Sequence, residues 1–225
     1  MYNLFLKDFY LIKKHLWFIM LYGFIIFFLF NIQGEDVAQG LSYSVGITII
    51  GYTLMMYITA YDDKNNSEVF LNSLPISRSK IVFSRYLSIL VFATIGILSM
   101  TIVGFVLKSF KLINSWNGVI GFNDLIISSV GLCIVSFLYL PTYFKYGYIK
   151  AKIFNWILFA VGFGGPMLIK GFLKDLEKPL WIDVFIKYLN SQSEFTIGLL
   201  IMISIMILGL VSLVCSIIIY KKREF

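Results

Sequence analysis

Long apolar runs alternate with short polar segments six times along the 225 residues of the chain. Each run is close to the roughly 20 residues that an α-helix needs to cross a bilayer, and none has a charged side chain in its core. Only a helix or a closed barrel satisfies all its backbone groups inside lipid, so these runs predict an all-α membrane protein with six transmembrane helices. The six runs are Leu16–Ile32, Leu41–Ala60, Leu87–Leu107, Leu125–Phe144, Ile153–Ile169 and Thr196–Tyr220.

Two segments outside the runs also have helical patterns. In residues 1–15, apolar side chains recur at helical spacing on one side, whereas Lys7 and Lys14 fall on the other. This pattern predicts an interfacial helix on the membrane surface, the alternative being a longer first span with a frayed start. Lys170–Phe195, before the last run, mixes apolar and charged residues and predicts an outer helical segment.

The composition supports a membrane protein without a separate soluble domain. Apolar residues make up 59% of the chain and charged residues 14%, against about 45–50% and 25% in soluble domains. The loops between six spans are short, so we expect one membrane domain covering residues 1–225.

The net charge of +7 is distributed as in a membrane protein rather than a nucleic-acid-binding protein. Thirteen Lys and Arg residues fall in the segments on one side of the predicted membrane, and six fall on the other. Basic segments tend to stay in the cytoplasm, so both termini are predicted to be cytoplasmic.

The apolar runs lack the residues that several functions require. Asp124 lies only at the mouth of the fourth run, and His15, the one histidine, lies before the first. Ion-driven transporters and intramembrane enzymes need titratable or nucleophilic groups at membrane depth, so neither class is favoured. Cys133 and Cys215 lie inside runs, where thiols act as small apolar residues, and they predict neither a disulfide nor a metal site. No bound cofactor is expected.

The longest polar stretch on the predicted cytoplasmic side is Tyr61–Lys80. Asn66 or Ser67 suits the N-terminus of a short helix, and Pro75 disfavours helical geometry at the residue before it, so the helix is predicted to stop there. Phe70 and Leu74 are one turn apart and are predicted to share one face of this helix. Such a helix either docks a partner or is a solvated connector whose apolar residues dip into the headgroups.

Four charged residues flank this helix. Asp62 and Asp63 are adjacent carboxylates just after the second run, and Arg78 and Arg85 lie in the predicted helix that starts at Ser77 and leads into the third run. Arg85 lies about two turns into its helix and therefore near the depth of the aspartates. Two carboxylates repel each other, so we expect at least one of them to pair with an arginine, the alternative being solvation at the interface.

The same stretch resembles the membrane subunits of bacterial ABC-2 type transporters. The resemblance rests on Tyr61–Asn65, on the run LNSLPISR at Leu71–Arg78, on Ile81-Val82 and on Arg85-Tyr86-Leu87. It is similar in particular to small, unfused permeases of low-GC Gram-positive bacteria, including those that resemble exporters of phenol-soluble modulins. The predicted topology resembles the same family over the whole chain.

The resemblance implies a cytoplasmic coupling helix that docks into a separate ATP-binding cassette ATPase. Its docking residues would be Glu68, Val69, Phe70, Leu71, Asn72 and Leu74. The chain has no Gly-rich phosphate-binding loop, so ATP and Mg²⁺ would be bound by the ATPase and this chain would not be an enzyme. A second permease subunit, the same chain or another, would complete the transporter.

Apolar and aromatic spans suit a lipid-like or amphipathic substrate, with an amphipathic peptide as the first choice and a lipid-targeting antibiotic as the second. The alternative from another class is a non-transporting membrane protein, such as an immunity or sensor component in the bacterial cell membrane. That protein would share the topology but would not need a docking helix.

Overall fold

The computed structural model describes residues 2–13, 15–31, 36–110, 120–157 and 194–223. Within these ranges the chain forms α-helices joined by short turns and contains no strand. The helices are α1 (Tyr2–Lys13), α2 (Leu16–Asn31), α3 (Asp36–Lys64), α4 (Ser67–Ser73), α5 (Arg78–Ser109), α6 (Phe122–Tyr146), α7 (residues 148–157) and α8 (Glu194–Lys222).

Four of the described helices are long and apolar enough to cross a membrane. The qualifying stretches are Gly40–Lys64, Arg78–Ser109, Asn123–Tyr146 and Gly198–Lys222. A fifth span results if α1 and α2, which meet at a bend of 66°, are counted as one broken span. The all-α prediction is confirmed for the described residues, whereas the count of six is not established.

Two predicted elements fall largely outside the described residues. Only residues 153–157 of the fifth predicted span belong to a described helix, α7. The predicted outer segment before the last span lies outside the described residues up to position 193.

Helix α3 lies at the centre of the bundle and contacts α2, α5 and α6. Its side chains Ile47, Leu54, Met55 and Ile58 are almost completely buried. A Cβ atom on Gly96 of α5 would lie 3.1 Å from the Ile47 carbonyl oxygen, so the two backbones approach closely. Small residues allow such approaches between membrane helices, where packing replaces the hydrophobic effect as the main attraction. Helix α8 packs on α5 and α6, and most of its large apolar side chains are exposed, as expected for a surface in contact with lipid.

Several helix ends meet at one end of the bundle, which we call the α4 end. Helices α3, α6 and α8 finish there and α5 begins there, with α4 between α3 and α5. As Pro75 predicts, α4 stops at Ser73, and Leu74 is extended with φ −78° and ψ 152°. At the same end Gly147 alone separates α6 from α7, and its φ of +78° is a conformation that L-residues rarely adopt.

Candidate docking helix and the charged cluster beside it

Helix α4 has one outward apolar face and one face that packs on the bundle. Val69 and Phe70 are 57% and 65% exposed, whereas Leu71 is only 8% exposed and belongs to the hydrophobic core. Consecutive residues of a helix point about 100° apart, so this division follows from the helix itself. The outward face is what a partner would meet.

The polar side chains of α4 hold it against the rest of the chain. The carboxylate of Glu68 forms an ion pair with Arg223, which follows α8, at 3.0 Å. The amide of Asn72 donates to the Tyr220 hydroxyl at 3.0 Å and to the Glu68 carbonyl at 2.8 Å. Glu68 and Asn72, which the sequence placed in the docking set, thus contact α8 and its C-terminal extension.

The two residues predicted to share one face, Phe70 and Leu74, differ in exposure. Leu74 is the C-terminal cap of α4, and its side chain packs against the hydrophobic core, whereas Phe70 is exposed. Leu74 is half-buried there. Of the six predicted docking residues, only Val69 and Phe70 are exposed.

A buried cluster of opposite charges lies beneath α4. Arg85 of α5 forms an ion pair with Asp62 of α3 and also donates to Asp8 of α1 at 3.0 Å. Lys7 donates to Asp62 at 2.7 Å, and Ser88 donates to Asp8 at 2.9 Å. Two cations thus face two carboxylates, and each charge buried here has a partner of opposite sign. Buried charges are tolerated on this condition, because removal of one partner leaves the other unpaired in a medium of low polarity.

The other two charged residues named from the sequence lie apart from this cluster. Asp63 is exposed near Gly147. Arg78 donates to three carbonyl oxygens at the end of α8, those of Tyr220 (3.4 Å), Lys221 (3.0 Å) and Arg223 (2.9 Å). The last carbonyls of a helix have no partner within it, and a cation there also interacts favourably with the helix dipole. Arg78 therefore fixes the end of α8 to the start of α5.

Burial raises the pKa of the Glu68 carboxyl above its usual value, and the nearby Arg223 guanidinium offsets this only in part. The geometry shows an ion pair, whereas the raised pKa indicates that the site disfavours the charged form overall. The two observations agree if the free energy of removing the carboxylate from water is larger than the stabilisation by Arg223.

Sequence reasoning missed Lys7, Asp8, Tyr220 and Arg223 as parts of this region. One signal was available, because Asp8 lies four residues before the buried Ile12 and so on the same face of α1. For Tyr220 and Arg223 the sequence gives no such signal, since their partners on α4 lie about 150 residues away. Among the described residues, no group of three or more His, Cys, Asp or Glu side chains is placed to hold a metal ion.

A protein-family model described as ABC-2 family transporter protein matches residues 3–221. No curated protein and no solved structure matches the chain.

Proposed function

The chain belongs to the ABC-2 family of transporter proteins, and from this we propose that it is the membrane permease subunit of an ATP-driven exporter. The match covers nearly the whole chain, which supports a single permease domain over residues 1–225. ATP hydrolysis would take place in a separate ATP-binding cassette subunit, which binds ATP and Mg²⁺. This chain would bind no cofactor itself.

The observation that carries the proposal is the two-sided surface of α4. Val69 and Phe70 point outward while Glu68, Leu71 and Asn72 fix the opposite side to the bundle. Burying one large apolar side chain stabilises a complex by about 1.5–3 kcal/mol, so two outward residues supply a useful anchor for a partner groove. A helix held in this way also passes movement of its partner directly to α3 and α8.

The α4 end is proposed to face the cytoplasm, with both termini on that side and six spans in all. The distribution of basic residues supports this orientation. Lys64, Lys80 and Lys145 are exposed at the α4 end, whereas the opposite end of the described α5 carries Lys108. The bacterial cell membrane is the proposed location.

The proposed substrate is an amphipathic peptide, with a lipid-like antibiotic as the second choice. Charged residues in the described spans lie near the ends of the helices, and their middle portions are apolar or hydroxyl-bearing. Ions and sugars need more polar partners than these. The resemblance to exporters of phenol-soluble modulins supports the peptide class.

In the proposed cycle, ATP binding closes two ATPase subunits and moves the docked α4 helices. Two permease subunits, identical or different, then open toward the outside and release the substrate. The energy comes from the ATPase, which agrees with the absence of charged residues from the middle of the described spans.

The docking role is tested by the double substitution Val69→Asp and Phe70→Asp. Loss of two apolar anchors should weaken ATPase binding more than a hundredfold, since each 1.4 kcal/mol is a factor of ten. Membrane expression should be unchanged, because both side chains are exposed. The matched control is Val69→Ile with Phe70→Leu, which keeps both side chains apolar and should retain binding.

The measurements are co-purification of an ATP-binding cassette ATPase with the tagged chain and export of a labelled amphipathic peptide. Wild-type co-purification of the ATPase by the Asp variant would reject α4 as the docking element. If the wild-type chain purifies without any ATPase, the non-transporting immunity or sensor function replaces the exporter.

A further inference from the structure

A groove of about 570 Å³ opens on the side of the bundle where α1 and α2 meet α5. The bend between α1 and α2 leaves this space, because α1 turns away from the α2 axis by 66°. Ile95, Leu98 and Ile102 of α5 line one wall, and Trp17 lies on the opposite side. The groove is within the range of 300–1,000 Å³ that ligand pockets usually occupy.

The chemistry of the groove is apolar except at one position. Lys13, exposed at the end of α1, is the only ionisable residue among the described residues that line it. The hydroxyl of Ser99 also lines the groove, but it already donates to the Ile95 carbonyl at 2.7 Å. A ligand therefore meets a hydrocarbon surface and a single cation.

The dimensions of the wall match one lipid chain. Ile95 and Ile102 are seven residues apart, which corresponds to about 10 Å along α5. The apolar run of α5 begins at Leu87, so Ile95 lies about 12 Å along the helix from its start. One leaflet of the hydrocarbon layer is about 15 Å thick, so the lower part of an acyl chain would reach this wall. Lysine side chains near helix ends reach toward the headgroup layer, where Lys13 would meet a phosphate.

A second groove, on the other side of α2, provides a comparison within the same molecule. It is smaller, about 260 Å³, and is lined by His15, Tyr22 and Tyr57 among others. The His15 and Tyr57 rings lie 4.0 Å apart across it. Among the described residues that line this second groove there is no lysine, whereas Lys13 lines the first.

We propose that the groove between α5 and the α1–α2 bend binds an anionic phospholipid, with its phosphate at Lys13 and one acyl chain along Ile95 to Ile102. The positive charge of Lys13 favours a negatively charged headgroup, and the apolar wall favours an acyl chain. The bound lipid would fill the gap at the bend and hold α1 beside α5. The proposal does not depend on the exporter function, since it requires only that the chain is a membrane protein.

Trp17 provides a reporter, because it lines the groove and is 77% exposed. The full-length protein, with Trp116, Trp156 and Trp181 replaced by Phe, is reconstituted into phosphatidylcholine vesicles. A minor fraction of the lipid is brominated phosphatidylglycerol in one sample and brominated phosphatidylcholine in the other. Quenching of Trp17 fluorescence then measures which lipid occupies the groove.

We expect phosphatidylglycerol to quench with about fivefold higher apparent affinity, as one lysine near a membrane surface attracts anionic lipid by roughly that factor. Lys13→Gln should remove the preference, and Lys13→Arg should keep it. Lys80→Gln is the matched control, because it removes one exposed lysine from the same end of the bundle and should leave the preference unchanged. Native mass spectrometry of the same variants should show retained phosphatidylglycerol with the same dependence.

Equal quenching by the two lipids in the wild type would overturn the proposal, as would an unchanged preference in Lys13→Gln. If an added amphipathic peptide shields Trp17 while neither lipid is preferred, the groove belongs to the transported substrate, and the lipid site is rejected.

Discussion

Arg223 binds both carboxylate oxygens of Glu68, with N–O distances of 3.0 and 3.4 Å. The same guanidinium donates to the Phe144 carbonyl of α6 at 3.1 Å. One side chain thus joins α4 to the ends of α6 and α8. A displacement of α4 would therefore act on both of these helices at once.

Replacing Arg223 with Gln should loosen α4 from the bundle. The change leaves the half-buried Glu68 carboxylate without this partner, at a cost of about 1–2 kcal/mol, because both groups are partly exposed. Thermal unfolding of the purified protein measures the loss. Adding Glu68→Gln to the same chain should restore most of the stability, since no carboxylate then needs a partner. If the stability loss of the double variant equals the sum of the losses of Arg223→Gln and Glu68→Gln, the two side chains are not coupled.

The raised pKa of Glu68 predicts a pH dependence of stability. A group whose pKa is higher in the folded state contributes stability below its unfolded value, about 4.3, and this is lost as pH rises through the folded pKa. The unfolding temperature should therefore show a decrease from mildly acidic to neutral pH that is reduced in Glu68→Gln. Asp63→Asn, which changes an exposed carboxylate nearby, should keep the wild-type slope. An identical slope in Glu68→Gln would refute the assignment to this residue.

Arg85→Gln should be among the most destabilising single substitutions in the described part of the chain. It removes the cation shared by Asp8 and Asp62, and both carboxylates are buried. Breaking a buried ion pair costs about 3–5 kcal/mol, because the remaining charge is left without compensation. Lys80→Gln, an exposed change on the same helix, should stay within about 0.5 kcal/mol of wild type. Thermal unfolding and the yield of folded protein distinguish these outcomes, and a near-neutral Arg85→Gln would show that the cluster contributes little.

The turn at Gly147 gives a prediction that depends on backbone conformation alone. With φ +78° and ψ 179°, this residue occupies a region that is essentially restricted to glycine. Gly147→Ala should therefore cost about 1–3 kcal/mol in unfolding free energy. Gly198→Ala in α8 is the control, because nothing lies within 4 Å of the added Cβ and alanine favours the helix. A neutral Gly147→Ala would mean that the turn tolerates another conformation.

The positions of several helices and one ion pair of the charged cluster can be predicted from the sequence for physical reasons. Uncharged apolar runs of about 20 residues have few stable forms in lipid, so α3, α5, α6 and α8 follow from the pattern. The end of α4 follows from Pro75. The contact between Asp62 and Arg85 follows from their similar predicted depth in the membrane. Both lie within a few turns of the same end of neighbouring helices.

The rest depends on tertiary packing, which no local pattern encodes. Asp8 reaches Arg85 only because α1 packs against α5. Glu68 looks like a docking residue in the sequence, yet the fold brings Arg223 to it from 155 positions away. Helical periodicity places Leu74 on the face of Phe70, but only the fold shows that Leu74 packs against the core while Phe70 is exposed.

The orientation of the bundle can be tested with single cysteines at opposite ends of α3 and α5. Lys64 ends α3 at the α4 end, and Ser109 ends α5 at the other end, and both are exposed. In a background where Cys133 and Cys215 are replaced by Ser, Lys64→Cys and Ser109→Cys place one thiol on each side. The excess of basic residues at the α4 end predicts that this end is cytoplasmic. A membrane-impermeant maleimide should then label position 109 in intact cells, and position 64 only after permeabilisation. Labelling of position 64 in intact cells would show that the predicted orientation is wrong. Helix α4 would then face away from any cytoplasmic ATPase.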